Sequence, residues 1–471
     1  MSFPIVPRAR RHLALWSVLA LLFVSGCATV RVAQVSDADY LAQRRADVLT
    51  GGHPSASTRA AQQIVGLDES RCFDRLPACR DLLLASTGLD DERRLSALAE
   101  LWLREAQRTD RRDAAVARIN AYLDTARYAY AYLFFTERKP GVRALEDRQT
   151  QVRDYYNVAV RQAMAAMFDY YSGRPPAPED EHGTFSLEVG RWQVVGRLED
   201  VRLAQGRALP KSLIPAPSLA FAGLRNQYRR DGIGGELVAA TSHSVVSSRE
   251  DTRAWREMPF PAITAVLRFP GDSLAEVLAT RQVQVHGYDP YRQDTVDVAG
   301  SRVPLAADFT AAYGLWLARS GFARQALLTL LGKGDVLESP HVYLLQPYDP
   351  NRRIVIMLHG LASSPEAWIN VANEVLGDEV LRRNYQIWQV YYPTNLPLPL
   401  NNVAIREAIT KTLAHFDPAG TAVASRDIVM VGHSMGGVLA RLMLSSSGDQ
   451  VWDGIMGRFD IHGSRLRKAR Q

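Results

Sequence analysis

Apolar residues recur at helical spacing through residues 36–172 and at strand spacing in short runs beyond them. Leu95, Leu98, Leu101 and Leu103 begin one amphipathic stretch, Ala114 to Phe135 form a second, and Val152 to Tyr171 a third. An α-helical domain is therefore expected over 36–172, with Tyr128, Tyr130, Tyr132, Phe134 and Phe135 as core packing. The run Gly173-Arg-Pro-Pro-Ala-Pro-Glu-Asp-Glu181 breaks the pattern, so 173–182 reads as an extended polar linker. Phe185–Val189, Trp192–Val195, Ile263–Phe269, Val283–His286 and Thr295–Val298 then show β-type composition with partial alternation. They predict a β-rich module over 183–305. Gly232-Ile-Gly-Gly235 within it reads as a turn; no clear helix follows, which argues against phosphate binding there. Ala307 to Leu331 is helical in pattern and makes 306–339 a helical connector.

The pattern changes again over 340–471. Strand-like runs at His341–Gln346, Arg353–Leu358, Tyr385–Tyr392 and Ile428–Val431 alternate with helix-like segments at Ala367–Leu376 and Val403–Phe416. That alternation predicts a parallel sheet with helices on both faces. The whole chain reads as multi-domain: an N-terminal α-helical domain, a middle β-rich module and a C-terminal α/β domain.

Chemistry concentrates where the last apolar run ends, at Gly432-His433-Ser434-Met435-Gly436. Val438, Leu439, Leu442 and Met443 follow at helical spacing. A serine between two glycines, on a sharp turn from strand to helix, is a nucleophile elbow in the making. Glycine is needed two residues to either side because a side chain there would strike the strand or the helix. Upstream, the run Arg353–Leu358 ends in His359-Gly360-Leu361.

With both motifs in place, about the last 130 residues resemble the α/β-hydrolase family. The resemblance implies a serine hydrolase with Ser434 as nucleophile. It also implies an oxyanion hole built from the Leu361 and Met435 N–H groups, with Gly432, His433 and Gly436 forming the elbow. His359 and Gly360 would be structural. Two fixed donors aimed at the developing negative oxygen would favour the tetrahedral intermediate over the ground state. In this fold the triad runs Ser, then Asp or Glu, then His. After Ser434 the sequence holds one histidine, His462, and the carboxylates Asp449, Asp453 and Asp460. Residues 447–471 contain no further β-type run. Three arrangements are compatible with this: a truncated family member whose late strands, acid and base are missing; a compact triad of Ser434, His462 and Asp449 or Asp453; or a base supplied by another part of the chain or by a partner.

The other end carries an address. Arg8, Arg10 and Arg11 precede the apolar run Leu13 to Val24, which is too short to span a bilayer as a helix. Residues 1–26 read as a secretory signal peptide. The ending Val24-Ser25-Gly26-Cys27 resembles a bacterial lipobox and implies lipidation of Cys27. Ala28 rather than Asp follows, so an outer-membrane anchor facing the periplasm is expected.

Charge excludes one class of partner. The chain carries 56 Lys+Arg and 50 Asp+Glu. Removing residues 1–26 takes away three arginines and no acids, leaving 53 against 50, so nucleic-acid binding is not expected. Cys72 and Cys79 are the remaining cysteines, with no histidine beside them, and are expected to form a disulfide rather than a metal site. No cofactor is implied. The expected function is a membrane-anchored serine hydrolase acting on ester or lipid substrates; the alternative is a catalytically dead envelope lipoprotein that binds or scaffolds.

Overall fold

The computed structural model describes residues 34–109, 114–171, 184–199, 210, 212–240, 253–322, 339–446, 448–450 and 453–454. The expected signal peptide at 1–26, Cys27, the expected linker at 173–182 and His462 lie outside the described residues. Two units are present, Met1–Ala46 and Asp47–Gln471. In the first, the helix Asp37–Arg45 starts at Ser36, whose side chain accepts from the Asp39 N–H. None of its residues is buried. Everything below concerns the second unit, which mixes helices with several sheets and begins with helices.

The helix Asp91–Arg108 starts at Asp90, whose side chain accepts from the Arg93 N–H, and it buries Leu95, Leu98, Leu101 and Leu103. The helix Ala115–Phe135 is buried on all sides from Ala121 to Phe134. A helix apolar all round belongs inside a bundle, and the aromatic run Tyr128 to Phe134 is core. Glu100 is fully buried and is held by Ser55 N–H at 2.7 Å, Ser55 Oγ at 2.6 Å, Thr58 Oγ1 at 2.5 Å and Arg148 Nη1 at 3.1 Å. A buried carboxylate persists only with such partners, and this one ties three helices together. Cys72 and Cys79 are joined as a disulfide with Cα atoms 5.1 Å apart.

The first sheet has six strands: β1 (Phe185–Val189), β2 (Trp192–Glu199), β3 (Ser212–Pro215), β5 (Gly235–Ala240), β7 (Ala262–Arg268) and β8 (Gln282–Tyr288). Their order is β1-β2-β8-β7-β5-β3. Short pieces β4 (Arg229–Arg230), β6 (Trp255–Glu257), β9 (Thr295–Val298), β10 (Ser301–Pro304) and β11 (Ala307–Asp308) complete the middle region. The sheet packs on the helix Asp147–Tyr171. Tyr156 donates to Leu267 O at 2.6 Å and accepts from Leu267 N–H at 2.9 Å. Asn157 clamps Gly232 O and Gly234 N–H at 2.9 and 2.8 Å. Helices and sheet therefore share one hydrophobic core, running from Val48 to Leu305.

The second sheet comprises β12 (His341–Leu344), β13 (Arg353–Leu358), β14 (Tyr385–Tyr391) and β15 (Ile428–Gly432), and recruits β6 from the middle region. Its order is β15-β13-β14-β12-β6. β13, β14 and β15 are mutually parallel, but β12 runs antiparallel to β14, so the sheet is mixed and not all-parallel as its pattern suggested. The reason is connection length. β12 and β13 are not neighbours, but the chain from Leu344 to Arg353 is too short for a helical crossover and turns straight back. β12 therefore runs against β13, and hence against β14, which is parallel to β13. The start of the expected helical connector also differs: Ala307–Asp308 pairs with β4 as a strand, and the helix begins at Ala311.

Alternate residues of β13 face opposite layers. Ile354, Ile356 and Leu358 pack with the helices Leu398–Phe416 and Met435–Leu444. Val355 and Met357 pack with the helices Ile369–Gly377 and Ala311–Ser320. From β13 the chain crosses to β14 on one side, then returns over β13 to β15 on the other. The strand order thus reverses between β13 and β15, and in open α/β sheets ligands bind outside the carboxyl ends of the strands at such a point.

Candidate active site

Leu358 is paired with Gly432, so the carboxyl ends of β13 and β15 lie side by side at the reversal. His359-Gly360-Leu361 follows one strand and His433-Ser434-Met435 the other. The His433 N–H donates to Leu358 O at 3.0 Å and clips the turn to the neighbouring strand.

Ser434 is exposed and has φ 52° and ψ −119°. It stands at the start of the helix Met435–Leu444, where a serine ordinarily adopts extended backbone and caps the helix with its side chain. Ser434 does neither: its backbone is left-handed in φ and its hydroxyl makes no capping bond. The turn is thus strained, at a cost of order 1–3 kcal/mol, and the hydroxyl is held away from the helix it precedes.

The glycines permit this packing. A Cβ on Gly436 would strike Leu358 O and stand 2.6 Å from His359 O. One on Gly432 would strike the Gly436 carbonyl and lie 2.5 Å from Gly437 N. A Cβ on Gly360 would lie 2.9 Å from His433 Nδ1 and 3.2 Å from Ser434 Cβ. The two loops are therefore in contact around the serine.

His359 is fully buried. Its Nδ1 lies 3.0 Å from Gly360 O, and Tyr392 N–H donates to its Nε2 at 3.4 Å. A carbonyl only accepts and an amide only donates, so these contacts select the neutral tautomer with hydrogen on Nδ1. Burial pushes its pKa down to about 4. A histidine with both nitrogens engaged in the interior positions the loop and does not serve the serine as a base.

Beside Ser434, the N–H groups of Leu361 and Met435 have no acceptor among the described residues. The next amide, Ala362, donates to Thr394 Oγ1 at 3.1 Å, and Ala362 itself has φ 54°. Thr394 and Tyr392, which hold this loop from the end of β14, were not singled out from sequence. Their signal was their place: they follow β14, the second of the three parallel strands, at the same edge as the two motifs.

The acid and base are another matter. Among the described residues no histidine or carboxylate is hydrogen-bonded to Ser434 Oγ. Asp449 lies exposed in the turn after the helix, where its carbonyl accepts from Asp453 N–H at 2.8 Å. No group of three or more His, Cys, Asp or Glu side chains suited to a metal ion occurs among the described residues. β15 is paired on one side only among the described residues; Val429 is 43% exposed and Leu444 74%, an apolar flank facing outward. No helix among the described residues is long and apolar enough to cross a membrane. No family model, curated protein or solved structure matches the chain.

Proposed function

We propose that this chain is a serine hydrolase of the α/β-hydrolase type, anchored to a bacterial outer membrane through Cys27 and acting on carboxyl ester or lipid substrates. The observation that carries the reading is the backbone of Ser434: a non-glycine residue at φ 52°, wedged among three glycines at the carboxyl ends of the parallel strands β13 and β15. Strain of this kind persists where the surroundings over-determine it, and it collects at catalytic groups.

In this mechanism Ser434 Oγ attacks the acyl carbonyl carbon and gives up its proton to a base. The carbonyl oxygen, now negative, accepts hydrogen bonds from the Leu361 and Met435 N–H groups, the latter at the start of a helix where the backbone dipole favours negative charge. Collapse of the tetrahedral intermediate expels the alcohol, which takes up the proton, and leaves an acyl-serine. Water then repeats the attack and releases the acid. His462 as base and Asp449, or Asp453, as orienting acid follow Ser434 in the required chain order.

One observation favours a second reading. With no described base on Ser434, the domain could be a non-catalytic module of an envelope lipoprotein that binds or scaffolds. A fluorophosphonate probe separates the two. Labelling of the folded protein that disappears in Ser434→Ala supports the hydrolase; labelling that also disappears in His462→Ala assigns the base. A folded protein that does not label supports the non-catalytic reading.

A further inference from the structure

Far along the chain from Ser434, four arginines line one cavity of about 350 Å³ between the helical region and the six-stranded sheet. Arg80 comes from the helix Leu76–Ala85, Arg127 from Ala115–Phe135, Arg191 from the turn between β1 and β2, and Arg281 from the residue before β8. Tyr128 and Trp192 supply aromatic walls. A cavity of this volume falls within the range of small-molecule sites.

The arginines are held in place. Arg127 Nη1 donates to Leu278 O at 2.9 Å and Nη2 to Asp124 Oδ1 at 3.0 Å. Its guanidinium stands 5.1 Å from the Tyr128 ring and 5.2 Å from the Trp192 ring. Arg191 pairs with the other oxygen of the fully buried Asp124 and stands 5.8 Å over Trp102. Arg80 pairs with Asp81 at 2.7 Å. Arg281 has no ion-pair partner among the described residues.

Charge is left over. Among the described residues, four arginines against Asp81 and Asp124 leave two positive charges without a counter-ion. The crowding is felt: burial first, then Arg80 and Arg281, lower the pKa of Arg191. Donors are left over as well. Arg127 Nε and the indole Nε1 of Trp192 are buried without an acceptor among the described residues. Buried donors in native proteins have partners as a rule, so unpaired ones beside a cationic cavity call for an acceptor from outside.

We propose that this cavity binds a small phosphate-bearing dianion, with a flat apolar group of the ligand against Trp192 and Tyr128. Guanidinium forks match carboxylate and phosphate alike, but two uncompensated charges favour a dianion over a monocarboxylate. The phosphate can come from a soluble monoester or from a lipid headgroup. The site is independent of the reading of Ser434.

The test is calorimetric titration of the intact protein with phenyl phosphate, inorganic phosphate and benzoate, alongside sedimentation with phosphatidylcholine vesicles with and without phosphatidic acid. Arg281→Ala is the main variant, because removing an exposed side chain with no ion-pair partner among the described residues leaves the core intact. Saturable binding of phenyl phosphate, tighter than benzoate or inorganic phosphate and weakened about tenfold by Arg281→Ala, supports the proposal with a soluble ligand; tenfold corresponds to about 1.4 kcal/mol. Binding only to phosphatidic acid vesicles, lost in Arg281→Ala, supports it with a lipid headgroup. Absence of binding to any phosphate probe, equal affinity for benzoate, or affinity unchanged in Arg281→Ala overturns it.

Discussion

Tyr392 and His359 are locked together beneath the candidate active site: their rings stack at 4.2 Å with planes 10° apart, and the Tyr392 N–H donates to His359 Nε2. Protonating that nitrogen would put two donors face to face in a buried place. The loop that presents Leu361 thus depends on a histidine staying neutral.

Acid should therefore destabilise the fold through His359. Its pKa falls from 6.5 to about 4 on folding, so between these values the unfolded chain binds the extra proton and the folded one does not. Stability from this group is complete above pH 6.5 and is lost as pH drops toward 4, by roughly 2 kcal/mol between pH 6.5 and pH 5. Urea unfolding across this range should show that slope, and His359→Gln should flatten it. An unchanged slope would rule the histidine out as its source.

Relieving the strain at Ser434 should stabilise the protein while ending the hydrolase chemistry proposed for it. Ser434→Gly removes the side chain that disfavours φ 52° and should raise unfolding free energy by about 1 kcal/mol. Ser434→Ala keeps a Cβ and should show no such gain. Both should lose probe labelling. Equal stabilities for the two variants would mean that the turn is not strained.

Neighbouring glycines should respond in opposite directions. Gly436→Ala places a methyl group against the backbone carbonyls of Leu358 and His359, which cannot swing away, and should cost about 1–3 kcal/mol. At Gly437 the nearest atom to an added Cβ is 3.4 Å away, so Gly437→Ala should gain up to about 1 kcal/mol from helix propensity. Denaturant midpoints of the two variants should bracket that of the parent.

Glu100 should be costly to remove from the helical region. Glu100→Ala removes the carboxylate that pairs with Arg148 and accepts from the Ser55 and Thr58 hydroxyls. A loss of about 3–5 kcal/mol is expected, the usual penalty for breaking a buried pair. Thermal unfolding checks it; a loss below about 1 kcal/mol would mean water replaces the carboxylate.

Much of the architecture was legible because it follows local periodicity. The helix Ala115–Phe135 and the strands β1, β7, β8 and β9 lie where apolar spacing placed them. β6 was not legible, because three residues carry no period. Its place beside β12 comes from a tertiary pairing of Trp255 with Val342. The direction of β12 was hidden for a related reason: a strand's sequence does not state which way its neighbour runs.

At the candidate site the division is similar. The sequence by itself determined the serine, the glycines around it and the histidine-glycine pair upstream, because steric limits on a tight turn leave few residue types possible. Only the tertiary structure decided that Leu358 and Gly432 are neighbours, that His359 is buried and neutral, and that the Leu361 and Met435 amides have no acceptor among the described residues. It alone gathered Arg80, Arg127, Arg191 and Arg281 around one cavity. Residues 201 positions apart from first to last share no local signal, and only packing of helices on a sheet brings them together.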